Sequence, residues 1–171
     1  MPNGGCRQVY WEATDNLIAL GVVPVFATGN KGVHGTKVGA PGNRPSYLAV
    51  GSIDDQDSLS SFSLPGPSLC DPDVIKPDVV APGTSVLSTR GTLISSTDIY
   101  RNVSGTSFST PLVAGVAALL RQANPDLTVD EVYDILRTTA TDLGQAGPDT
   151  LFGYGAVNAE VEIELPDGQN N

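Results

Sequence analysis

A chain of 171 residues, 40% of them hydrophobic, fits one domain and is long enough to bury a core, which excludes a disordered tail. Nine Lys and Arg against nineteen Asp and Glu give a net charge of −10, the wrong sign for a protein that grips nucleic-acid phosphates. No apolar run approaches a membrane span, and the N-terminus lacks the basic-then-apolar layout of a signal peptide, so the chain reads as soluble or as a soluble piece of something larger.

Residues 11–20, WEATDNLIAL, place Trp11, Leu17, Ile18 and Leu20 near one helical face, with Gly21 as a natural stop. VVPVFA (22–27) follows as a short, continuously apolar run, expected to be a strand covered on both faces with Pro24 near its start. SYLAVGSID (46–54) and DVVAP (78–82) read as two more short strands. The segment between them is loop-rich, with SFS (61–63) as a brief extended piece. From Thr106 the pattern turns helical: Leu112, Val113, Val116, Ala117, Leu119 and Leu120 among Ala and Gly make this helix apolar nearly all round and therefore central. TVDE (128–131) is a capping box that opens a second helix through about Thr139, with Val132, Ile135 and Leu136 facing inward. EVEIELP (160–166) alternates strictly and predicts an edge strand or the lead into a linker.

This order predicts an α/β sandwich with a largely parallel sheet, whose chemistry sits in loops beyond the strands' C-terminal ends. Cys6 and Cys70 lie 64 positions apart with no CxxC and no neighbouring His, which argues against a zinc site. They read as two buried thiols, or as a disulfide if the compartment is oxidising.

Two short stretches fall on the chemically favoured loops. ATGN (27–30) lies just beyond the first buried strand, and SGTS (104–107) just ahead of the apolar helix. A Ser107 at a helix start faces unpaired N–H groups and the positive end of the helix dipole, a setting that stabilises an oxyanion. Gly105 permits close approach of the chain, Thr106 is placed to cap, and Pro111 makes the first turn irregular. On residue chemistry alone Ser107 reads first as an N-cap, and Gly29-Asn30 as a turn.

GTSFSTPLVAG (105–115) resembles the nucleophile motif of the subtilisin-like serine peptidases, Gly-Thr-Ser-x-Ala/Ser-x-Pro-x-Val-Ala-Gly. VVPVFATGN (22–30) resembles that family's strand ending in its oxyanion-hole Asn. KPDVVAPGTSVLST (76–89) and FGYGAVNAE (152–160) resemble its intervening and closing stretches, in the family's order. The resemblance implies a subtilisin-like three-layer α/β/α sandwich with a mostly parallel sheet. Residues 1–171 would be the C-terminal portion of the catalytic domain, a partial domain. It further implies Ser107 as nucleophile, the Asn30 side chain and Ser107 N–H as oxyanion hole, and Ala27, Thr28 and Gly29 lining the pocket for the side chain before the scissile bond. Asn3-Gly4-Gly5 resembles the end of the family's substrate-pairing strand. Phe108 stands where the family often has Met, keeping bulk without an oxidisable sulfur.

The resemblance implies no redox or organic cofactor; calcium is common in the family, but no site in this chain is assignable to it. It implies a secreted enzyme that acts on peptide or protein. A serine hydroxyl needs a base, and the family's Asp-Thr/Ser-Gly and His-Gly-Thr-His-Val motifs both precede the Asn. Only 29 residues precede Asn30 here and they hold neither motif, so the N-terminal half of the domain is an expected partner. An exposed strand edge would otherwise invite self-association. His34, in HGTKVGAPGN, echoes His-Gly-Thr by accident: Gly39, Pro41 and Gly42 preclude the helix that motif opens, and an exposed loop histidine is expected. Two rivals remain: a truncated, non-catalytic relative that binds peptide or a partner, and another serine hydrolase that uses His34.

Overall fold

The computed structural model describes residues 6–35, 37–91 and 99–160. Helix α1 spans Gln8–Ala19. It ends as expected at Gly21, whose φ of 80° lets its N–H reach Ile18 O at 2.8 Å while Val22 N–H reaches Leu17 O at 3.0 Å. Its inward face is Trp11, Thr14 and Ile18 rather than the expected set, because spacing of three and four keeps these three in line. Leu17 and Leu20 lie off that line and are 43% and 80% exposed. The Trp11 indole donates to Asn43 and the Tyr47 hydroxyl donates to Trp11 O and Asp15, which fastens α1 to the segment ahead of the second strand.

Three parallel strands form the main sheet in the order β1 (Val25–Ala27), β2 (Leu48–Ile53), β3 (Val79–Pro82). Strand β1 pairs Val25 with Leu48, and β2 pairs Val50 with Val79. Pro24 precedes the first strand, where its missing N–H costs no ladder bond. β1 is covered on both faces only in part: Val25 packs on the core and Phe26 on the Tyr47 ring, both half-buried, and Ala27 at the end of this edge strand is exposed. β2, in the middle, is buried throughout. Ser61 and Phe62 form a turn and not an extended piece; the local pairing is a single bridge between Ile53 and Leu59. The sheet has a companion that the hydropathy pattern does not reveal, an antiparallel ribbon of β4 (Val86–Thr89) and β5 (Tyr100–Val103).

Helix α2 (Thr106–Ala123) lies across all three parallel strands, and α3 (Val129–Thr138) packs beside it. The core joins Leu48, Val50, Val79 and Ala81 of the sheet to Val113, Ala117 and Leu120 of α2 and Val132, Tyr133 and Leu136 of α3. Each fully buried aliphatic side chain of this kind stabilises by about 1.5–3 kcal/mol. The helix is covered on one side only, contrary to the expectation of an all-round core helix: Leu112 and Leu119 each remain 44% exposed. The Thr128–Glu131 capping box is formed as expected, with Glu131 N–H donating to Thr128 Oγ1 and the Glu131 carboxylate accepting from Thr128 N–H. The chain is thus α/β with a parallel main sheet. The alternating stretch 160–166 lies outside the described residues beyond Glu160.

One buried polar cluster ties α3 to the sheet. Asp78 accepts from Lys76 Nζ at 2.6 Å and Ala49 N–H at 2.6 Å on one oxygen, and from Arg137 Nη2 at 2.8 Å on the other. Lys76 is wholly buried and also donates to Tyr47 O. Burial pulls its ammonium below the ordinary lysine range, opposed by the attraction of Asp78. Cys6 and Cys70 are joined as a disulfide, and Cys6 is exposed, so the buried-thiol alternative does not hold.

Candidate active site

Strand β1 delivers residues 27–30 to the C-terminal edge of the sheet. Thr28 N–H still bonds Val50 O, extending the ladder by one residue, and then Gly29 turns the chain at φ 116°. Gly29 O accepts from Leu64 N–H and Gly32 N–H donates to Phe62 O, so the loop is pinned along the 62–64 turn. From the other side, β3 runs into Gly83, whose carbonyl accepts from Gly105 N–H at 2.8 Å. That bond sets the start of α2 on the same edge. Two loops 76 positions apart therefore meet, as parallel strands sharing one edge require.

They meet through Thr106. Its backbone N–H and its hydroxyl both donate to Asn30 Oδ1, at 2.8 and 2.9 Å, while the same hydroxyl accepts from Gly29 N–H at 3.2 Å. The expected capping role for Thr106 is replaced by this clamp; the cap residue is Gly105, at φ 149°. With Oδ1 taken by two donors, the side-chain amide has one orientation, and Nδ2 is left as a donor directed away from Thr106. A side chain at position 105 would begin a tight 3.2 Å from Asn30 Nδ2, and the φ of 149° at that position itself favours glycine.

Ser107 is the second residue of α2 and is exposed, not an N-cap. The first turn is irregular as expected: Phe108 N–H bonds Gly105 O, and Pro111 offers no N–H to Ser107 O. The Ser107 hydroxyl thus stands at the positive end of an 18-residue helix, with N–H groups of the first turn unpaired by the helix itself. Ala27 is exposed, Gly29 half-buried, and Thr28 buried with its hydroxyl lacking a partner among the described residues. His34 ends a short 3-10 turn, Gly32–His34, and is exposed; no hydrogen bond joins it to Ser107. Among the described residues no group of three or more His, Cys, Asp or Glu side chains converges to hold a metal.

The sequence reading missed the Thr106 clamp, because only the fold brings residue 106 to residue 30. It also missed Gly83 and Ser109, which lie beneath the helix start.

These features define an α/β protein that presents an exposed serine at a helix start beside an oriented amide. The chain belongs to the subtilase family, whose sequence model matches residues 2–155. It is 37% identical to the serine protease AprX of Bacillus subtilis, over 89% of this chain and 37% of AprX. It is 36% identical to subtilisin DY of Bacillus licheniformis, over 90% of this chain and 51% of that protein. With the halolysin-like extracellular serine protease Nep of Natrialba magadii the identity is 39%, over 84% of this chain and 23% of Nep. The chain spans about half or less of the length of these relatives.

Proposed function

We propose that this chain carries the nucleophile and oxyanion hole of a serine endopeptidase. Ser107, its proton taken by a histidine of the complementing half, attacks a peptide carbonyl. Asn30 Nδ2 with the Ser107 N–H stabilises the tetrahedral oxyanion, the amine leaves with that proton, and water then hydrolyses the acyl-serine ester. Ala27, Thr28 and Gly29 line the pocket for the residue ahead of the scissile bond. The observation that carries the reading is the double donation from Thr106 to Asn30 Oδ1, which aims the remaining amide donor without any cost of reorganisation at the moment of reaction.

The base is not His34. An exposed histidine with no bond to Ser107 does not deprotonate it, and the hydroxyl alone is a poor nucleophile. The reading therefore requires a partner: the Asp- and His-bearing half of a subtilase domain, in the same polypeptide or supplied separately. The open side of α2, with Leu112 and Leu119, and the edge of β1 are the surfaces it would cover. Secretion fits the Cys6–Cys70 disulfide, which persists in oxidising compartments, and the extracellular character named for Nep.

The test is fluorophosphonate labelling of Ser107. The 171-residue chain alone should take almost no label, and the chain mixed with or fused to the N-terminal half of a subtilisin relative should take label that Ser107→Ala abolishes and His34→Ala leaves intact. Stoichiometric labelling of the isolated chain would promote His34 to base. Failure of every complemented form to label, with folding intact, would favour a non-catalytic peptide-binding relative.

A further inference from the structure

Beneath the helix start lies a buried belt of hydroxyls that the proposed chemistry does not use. Ser52, Ser60 and Ser109 are almost fully buried. Ser52 Oγ bonds Ser60 Oγ at 2.8 Å, and Ser60 Oγ bonds Thr84 Oγ1 at 2.7 Å. Ser109 Oγ, from the first turns of α2, has no partner among the described residues. A buried hydroxyl without a partner is a net cost, so its presence calls for another explanation.

Gly83 supplies one. Its φ lies outside the left-handed region, so conformation does not demand glycine there. Space does. A β-carbon on residue 83 would overlap Ser109 Oγ and Ser52 Oγ and come within 2.9 Å of Gly105 O. The two hydroxyls fill the volume that an alanine methyl would occupy. Gly83 is at the same time the joint between sheet and helix start: its N–H donates to Ile53 O at 2.9 Å and its carbonyl receives Gly105 N–H.

We propose that Gly83 is a positioning residue for the nucleophile turn. Its bare α-carbon lets the first turns of α2 seat on the ends of β2 and β3 through Ser109 and Ser52, and this seating sets where Thr106 meets Asn30. The Ser109 hydroxyl acts by volume and not by hydrogen bonding. The catalytic meaning of the device rests on the proposed function; the packing relation does not.

The test uses the intact chain and needs no turnover. Native-state hydrogen exchange reads the Gly105 and Thr106 amides, which bond Gly83 O and Asn30, against those of Asp78 and Val80, which bond Ala49 O and Gly155 O in the sheet. Gly83→Ala should lower Tm by about 3–10 °C and reduce protection at Gly105 and Thr106 at least about 10-fold more than at Asp78 and Val80. Ser109→Ala should shift Tm by less than about 2 °C, the lost volume offset by removal of an unpartnered hydroxyl. The triple variant Gly83→Ala/Ser52→Ala/Ser109→Ala should regain most of the lost protection, the methyl taking the hydroxyls' place. Equal loss at all four amides, no loss in Gly83→Ala, or a triple variant no better than Gly83→Ala would each overturn the proposal. If Gly83→Ala does not fold, the triple variant decides: folded with Gly105 protected supports it, unfolded refutes it.

Discussion

Replacing Asp78 by Ala removes the carboxylate that Lys76 and Arg137 share. Lys76 Nζ would keep its bond to Tyr47 O but lose its ionic partner inside a site of zero exposure. Arg137, with a side chain 16% exposed, could turn partly to water. Breaking one partner out of a buried ion pair costs about 3–5 kcal/mol, because the surviving charge stays desolvated and unpaired. Ala49 N–H also loses its acceptor, at about 1–3 kcal/mol for a buried donor, although relaxation and partial deprotonation of Lys76 offset some of the sum. We expect a loss of about 4 kcal/mol, a large part of the roughly 5–15 kcal/mol typical of a domain. By contrast Lys76→Met should cost less than about 2 kcal/mol: Asp78 keeps Arg137, and a side chain of similar volume fills the space without desolvating a charge. Urea denaturation followed by circular dichroism measures both. At a slope of about 2 kcal/mol per molar, the Asp78→Ala midpoint should fall by about 2 M and that of Lys76→Met by under about 1 M. A loss below about 1 kcal/mol for Asp78→Ala, or a larger loss for Lys76→Met, would refute the view that the carboxylate is the keystone of this cluster.

Three further outcomes follow from the same geometry. In a complemented, active enzyme, Asn30→Ala should lower kcat by about 10²–10³ with little change in KM, a magnitude taken from the corresponding donor in a subtilisin; steady-state kinetics on a peptide substrate checks it. Burial raises the pKa of Tyr133, whose hydroxyl donates to Pro24 O, so its contribution to stability is complete below pH 10 and declines as pH rises above it; Tyr133→Phe should cost about 1 kcal/mol at pH 7 and flatten the decline above pH 10 in pH-dependent urea titrations. Replacing Cys6 and Cys70 by Ser opens a loop of 64 positions and should cost about 2–4 kcal/mol, read as a lower Tm that reductant reproduces in the unmodified chain.

Local chemistry was legible in the sequence wherever it depended on neighbours along the chain. The Thr128–Glu131 box, the Gly21 stop, the irregular first turn ahead of Pro111 and the apolar strands at 48–53 and 79–82 all rest on contacts within a few residues or on runs that water excludes. Motif and loop position single out Ser107 and Asn30, and both lie beyond the C-terminal ends of the parallel strands. Tertiary structure decided the rest. Whether β1 is central or an edge depends on its neighbours, and whether α2 is buried all round depends on what packs against Leu112 and Leu119; neither is written in the segment itself. Two cysteines 64 positions apart pair only because the fold brings Cys70 beside Asn43, which also holds Trp11 of the helix that Cys6 precedes. Thr106 looks like a cap in the sequence and becomes a clamp on Asn30 in the fold, since a hydroxyl bonds the nearest oriented acceptor, and the fold brings that acceptor from 76 positions away.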